Sequence, residues 1–221
     1  MPRRRDPREY ICTTRLESQA RHRGWRRVAG SDEAGRGALL GPLYAAAVIL
    51  DADRPIRGLD DSKKLSPKER ERLAVEIRCK ALAWHVVAVS AAEVDALNVY
   101  EASRQAMLLA LAGLCPKPQC VLTDAMPLAP VDGWMAQVPC WPIIHGDARC
   151  ASIAAASILA KVARDSYMRR LDRLYPHYDL AKNKGYGTAR HLAALRQFGP
   201  CPEHRRTYQP IRGSWLPLFS K

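Results

Sequence analysis

This 221-residue chain lacks paired cysteines at metal-binding spacing, long apolar runs, internal repeats and low-complexity linkers. Its seven cysteines (Cys12, Cys79, Cys115, Cys120, Cys140, Cys150 and Cys201) are odd in number, and none form a Cys-x-x-Cys pair. Neither a disulfide framework nor a zinc site is signalled, and reduced thiols in a cytoplasmic setting fit best. No basic helix carries a strong apolar face, so a membrane is not expected as a partner. The N-terminus has no apolar run of signal-peptide type, and Asp6, Glu9 and Glu17 argue against an acid-poor transit peptide, so export is not expected. Negative charge is scarce too: 22 acids stand against 35 lysines and arginines, a net charge of +13. A polyanion, nucleic acid before membrane, is the expected partner.

Nine arginines and three acids give residues 1–27 a net +6. This reads as a basic, partly helical arm adding sequence-independent phosphate affinity. From 28 to 211 the pattern is that of one globular domain, and 212–221 form an apolar tail. Leu43 to Leu50 is a short apolar run bounded by Gly41-Pro42 and Asp51, a buried strand whose hairpin partner is Val28 to Asp32. Ser66-Pro67-Lys68-Glu69 is a capping box with proline at the first helical position, predicting a helix over 67–82 with Leu73 and Ile77 inward. A strand over 84–89, a helix over 102–114 and a strand over 120–123 follow. A long helix over 152–175 should leave Lys161, Arg164 and Arg169 available to solvent. Thr188 can cap a last helix ending at Gly199. Strands alternating with helices after an opening hairpin predict an α/β layered domain.

Four carboxylates stand out. Asp32-Glu33-Ala34-Gly35-Arg36-Gly37 ends an apolar segment, and two adjacent acids beside two glycines and an arginine suit a place where a cation and a phosphate meet. Asp124 ends an apolar strand, and Asp147 precedes the long helix, in the positions where sites of α/β sheets collect. Acids with no histidine or cysteine arranged around them suit Mg²⁺ or Mn²⁺ rather than zinc. A module that only binds nucleic acid would gain nothing from such acids, which weaken phosphate binding without metal. Neighbours on a regular strand face opposite sides, so Asp32 and Glu33 can share a site only if the strand distorts or ends there.

At this point the chain resembles the bacterial ribonucleases HII. The segments carrying the resemblance are Asp32 to Gly37, Leu59-Asp60-Asp61-Ser62-Lys63-Lys64-Leu65-Ser66, and His145-Gly146-Asp147 leading into Ser152 to Asp165. Lys184-Gly185-Tyr186-Gly187-Thr188 and Glu203-His204-Arg205-Arg206 complete the set. The resemblance implies an RNase H-like mixed sheet flanked by helices, with a helical C-terminal region. It also implies endonucleolytic cleavage of RNA in hybrids and of single ribonucleotides embedded in duplex DNA, with roles in primer removal and ribonucleotide excision repair. It makes Asp32, Glu33, Asp124 and Asp147 the catalytic, metal-holding acids. Two bound cations there would activate a water and stabilise the leaving 3′-oxygen, leaving a 5′-phosphate.

By the same resemblance Gly35, Arg36 and Gly37 read the 2′-hydroxyl, and Tyr186 stacks on the next deoxyribose. Lys63, Lys64 and Arg164 are candidate phosphate contacts, and the enzyme is expected to act as a monomer. His145 stands where relatives often have lysine, which makes the positive charge there pH-dependent or absent. Ala125 stands where many relatives have glycine, and Asp132-Gly133 is a decoy for the third acid, set aside because a proline-containing loop precedes it. Asp165, next to Arg164 inside the long helix, reads as a structural ion-pair residue. The tail ends Leu216-Pro217-Leu218-Phe219. It either packs on its own domain or, through 213–219, docks on a sliding clamp, as the short tails of some replication proteins do.

Overall fold

The computed structural model describes residues 10–128 and 133–213. Asp132 and the tail beyond Gly213 lie outside these residues. In chain order the elements are α1 (Arg15–His22), β1 (Val28–Ala34), β2 (Leu43–Ile49), α2 (Pro67–Lys80), β3 (Ala83–Val89), α3 (Ala91–Leu97), α4 (Val99–Ala112), β4 (Cys120–Asp124), β5 (Cys140–Ile143), α5 (Ala151–Leu174), α6 (Leu180–Asn183) and α7 (Ala189–Phe198). The sheet order is β3-β2-β1-β4-β5. The first three strands pair antiparallel, while β1, β4 and β5 run parallel, so β1 is the seam between the two pairing modes.

Side-chain alternation along the strands builds two cores. Ala29, Ala45, Ala47 and Val121 pack against Ala102, Ala106, Met107 and Leu111 of α4. Ala46 and Val48, on the other face, meet Ala154, Ala155, Ile158 and Leu159 of α5, with Leu73 and Ile77 of α2 closing that layer. Small residues let α5 lie close to the sheet. At Gly30 any Cβ would stand 2.1 Å from the Ser152 carbonyl carbon, so only glycine permits this crossing.

The capping box at Ser66 forms in full, with Pro67 at the first turn. A second capping box, Ser90 with Glu93, starts α3, a helix the sequence reading missed. Asn98 then breaks the chain direction at φ 67° and caps α4 through its side chain. Strand β5 was also missed. It is short, contains Pro142 and pairs only with β4, as an edge strand can.

Within the basic N-terminal segment α1 is docked on the domain. Ala20 packs with Val28 and Cys120, and the buried Glu17 carboxylate accepts from the Ser152 amide at 2.7 Å, capping the start of α5. Arg15, Arg23 and Arg26 of this segment remain exposed. None of the described helices is long and apolar enough to cross a membrane.

Candidate active site

Asp32 near the end of β1, Asp124 at the end of β4 and Asp147 in the 3-10 turn Gly146–Ala148 converge, each offering a carboxylate oxygen within 4.8 Å of the others. Asp32 and Asp147 are each only 5% exposed. Backbone amides orient two of them: Gly146 donates to Asp124 Oδ1 at 2.8 Å, and Ala148 donates to Asp147 Oδ1 at 2.9 Å. Ser157 of α5, which the sequence reading gave no role, hydrogen-bonds Asp32 and lies 3.0 Å from the Ser62 hydroxyl.

The electrostatics are those of an under-compensated anionic cluster. Burial holds the Asp32 carboxyl well above the ordinary range, reinforced by the charges of Glu33 and Asp124. Burial likewise raises Asp124, with Asp147 adding to it, and raises Asp147 against the opposing pull of Lys63. Lys63 Nζ lies 3.3 Å from Asp147 Oδ2. Burial works against its charge, but Asp147 and Asp61 outweigh that and keep its pKa raised. Three crowded, oxygen-only donors with one lysine beside them fit a hard divalent cation.

Glu33 is placed differently. The pairing stays regular through the acid pair and β1 ends one residue later, at Ala34: Asp32 pairs with Ala46 and Glu33 with Ala45, so the two project from opposite faces of the sheet. Glu33 is outside the tight trio and lies 3.6 Å from Arg36. It still lines the same cavity of about 470 Å³, together with Asp32, Asp124, the 35–37 turn, Lys161 and Tyr186. The cavity wraps around the strand end, which is how adjacent residues of opposite facing border one space.

Arg164 corrects an expectation. Instead of being available to solvent for phosphate, it is 0% exposed, and its guanidinium donates to the carbonyls of Pro42 at 3.0 Å, Lys184 at 2.8 Å and Leu40 at 3.2 Å. Helical periodicity placed it outward, but two turns, one at 35–42 and one at 184–186, fold over that face of α5. Gly35, at φ 93°, sits so close that a Cβ would stand 2.0 Å from Arg164 Nε. The same guanidinium lies 5.4 Å from the Tyr186 ring centroid. Arg205, equally buried, donates to the Arg36 carbonyl at 2.8 Å and to Gly41 at 3.0 Å. Its role was missed because an arginine in a charged run reads as a solvated residue.

The remaining candidates fall in place as follows. Tyr186 is 37% exposed at the cavity wall. Lys64 pairs with Asp60 at 3.3 Å. Asp165 pairs with Lys161 at 2.8 Å and Arg70 at 3.8 Å, and not with Arg164 as the sequence suggested. His145 is left-handed at φ 55°, with the Tyr10 ring 5.7 Å from its own. Ala125 is left-handed as well, at φ 52°, which accounts for the glycine expected there.

The ribonuclease HII family model matches residues 29–216. The chain is 51% identical over 211 residues to the ribonuclease HII of Solibacter usitatus, across 95% of this chain and 90% of that one. Its fold is similar to the crystal structure of ribonuclease H2 from Pyrococcus horikoshii, with TM-score 0.70, 29% identity and coverage of 85% of this chain and 96% of that one. It is also similar to the ribonuclease HII solved in complex with PCNA from Archaeoglobus fulgidus, with TM-score 0.69, 28% identity and coverage of 83% and 95%. The sheet with its flanking helices is thus an RNase H-like fold, the enzyme is a ribonuclease H of type HII, and the chain belongs to the ribonuclease HII family.

Proposed function

We propose that this ribonuclease cleaves the RNA strand of RNA–DNA hybrids and the 5′ side of single ribonucleotides embedded in duplex DNA, leaving 5′-phosphate and 3′-hydroxyl ends. The observation carrying this reading is the convergence of Asp32, Asp124 and Asp147, the first two of which line one cavity with the glycine turn at 35–37. Asp32, Asp124, Asp147 and Glu33 would hold Mg²⁺ or Mn²⁺, two ions with substrate present, which supply water activation and charge stabilisation at the scissile phosphate.

The chain's own residues do the recognition. The backbone of Gly35, Arg36 and Gly37 reads the 2′-hydroxyl, since the glycines on either side of Arg36 permit the close approach this needs. Tyr186 stacks on the following deoxyribose, its ring held from behind by Arg164. Lys63 and Lys64 are the phosphate contacts, with the exposed arginines of 1–27 adding salt-dependent affinity. Arg164 acts through the two turns it binds and not on phosphate.

Such an activity serves primer removal and ribonucleotide repair in the cytoplasm, by a monomer. A relative solved with PCNA makes the sliding clamp a fitting partner, reached through 213–219. The deciding experiment is cleavage of a labelled duplex with one ribonucleotide, run with Mg²⁺, Mn²⁺ or EDTA. Incision 5′ to the ribonucleotide with either metal and none with EDTA is expected. Metal-independent cleavage, or no incision of this substrate, would sink the reading.

A further inference from the structure

Behind Tyr186 two buried histidines meet, His191 on α7 and His204 in the segment that follows, with their Nε2 atoms 3.2 Å apart. Backbone groups at both ends dictate which nitrogens carry protons. The Cys201 amide donates to His204 Nδ1 at 2.9 Å, and since an amide can only donate, that nitrogen is bare. The proton of a neutral His204 therefore sits on Nε2 and is donated to His191 Nε2. His191 then carries its own proton on Nδ1, 3.0 Å from the carbonyl oxygen of Tyr186, which can only accept. A single direction of donation runs from Cys201 through both rings to the turn that faces the cavity.

The surroundings leave no room for a second arrangement. The Tyr178 ring packs T-shaped against both imidazoles, with centroids 5.7 Å from His191 and 4.9 Å from His204, and the Cys201 thiol lies 3.2 Å from His204 Nδ1. An added proton on either ring would point at another proton. Burial keeps both histidines neutral, lowering His191 and taking His204 down to about 4. Apolar side chains would fill this space without the desolvation cost of four ring nitrogens, so the pair makes sense where a directed hydrogen bond is needed. The next residue, Arg205, holds the Arg36 carbonyl. Consecutive residues 204 and 205 thus act on both turns, His204 through His191 on the Tyr186 carbonyl and Arg205 directly on Arg36.

We propose that His191 and His204 are positioning residues for substrate discrimination: their ordered proton chain fixes the Tyr186 carbonyl, and with it the placing of the ring against the nucleotide after the ribonucleotide. This rests on the reading of Tyr186 as the stacking residue.

The test compares kcat/KM on a duplex with one embedded ribonucleotide, where a deoxyribose follows, with kcat/KM on a uniform RNA–DNA hybrid, where a ribose follows. Loss of folded protein scales both values alike and leaves their ratio untouched. His191→Leu is expected to lower the ratio roughly fivefold, the worth of one hydrogen bond, and His191→Asn, whose amide can still donate to the Tyr186 carbonyl, to restore most of it. Tyr186→Ala should lower the ratio at least as far, and adding His191→Leu to it should change nothing more. A ratio moved by Tyr186→Ala but not by His191→Leu overturns the positioning role alone. A ratio unmoved by Tyr186→Ala overturns the stacking reading, and this proposal with it. Should His191→Leu not fold, long-range ¹H–¹⁵N correlation on the unsubstituted protein decides: His191 protonated on Nδ1 and His204 on Nε2 are expected, and either opposite tautomer refutes the chain.

Discussion

Asp32, Asp124 and Asp147 crowd three like charges together with Lys63 beside them, whereas Arg164 and Arg205, buried beneath the turns that line the cavity, place their donors on backbone carbonyls. Both regions bury charge. In the first the charges oppose one another and the fold carries the repulsion; in the second the donors of each guanidinium are met by backbone carbonyls, and the turns are held by those bonds. A region that the apo fold disfavours is one that a ligand can complete, while a fully satisfied region defines geometry and has nothing left to bind.

The comparison breaks most clearly by substitution. Asp124→Asn should lower kcat on the order of a thousandfold while hybrid binding persists and the melting temperature stays level or rises, since a repelling charge is removed. Arg164→Met should do the reverse in kind, costing about 3 kcal/mol of stability by orphaning three carbonyls, as urea unfolding would measure. If Asp124→Asn destabilises as much as Arg164→Met, the two regions do not differ as argued.

Acid titration sharpens the contrast, because the signs are opposite. The three aspartates titrate above their ordinary 3.8 in the folded chain, so the fold binds protons that the unfolded chain has released. Their contribution grows as pH falls through the raised values towards 3.8 and is lost as pH rises. His204, lowered from 6.5 to about 4, contributes stability that is present above 6.5 and lost as pH falls towards 4. In EDTA, as pH falls from 7.5 towards 4, Asp124→Asn should therefore lose melting temperature more steeply than the unsubstituted chain, and His204→Phe less steeply. Calorimetric scans of the three proteins across that range check both slopes.

The smallest effect concerns Ala125, the residue after Asp124, left-handed at φ 52°. Ala125→Gly should raise stability by about 1 kcal/mol and leave cleavage unchanged. An unaltered denaturation midpoint would mean that the turn bears no strain.

Much of this was legible in the sequence because the signals were local. The capping box at Ser66, the apolar run of β2 and the acid at the end of β4 each announce themselves within a few residues. The burial of Arg164 was not legible, since helical periodicity cannot see two distant turns folding over one face of α5. For the same reason the placing of Glu33 on the opposite face from Asp32, and the pairing of His191 with His204, emerge only from the assembled sheet and its surroundings. The Ser90–Glu93 capping box is another matter: its signal was present and went unread, hidden by the break at Asn98.

The grip of Arg205 on the 35–41 turn has a consequence in time. Arg205 stands 169 residues beyond Arg36, so during synthesis the turn that meets substrate emerges early and waits for nearly the whole chain before its anchor arrives. The sheet can begin to form long before that, but the turn reaches its working shape only at the end. A chain cut short of residue 205 would keep its carboxylates and lose the anchor of the turn set against them.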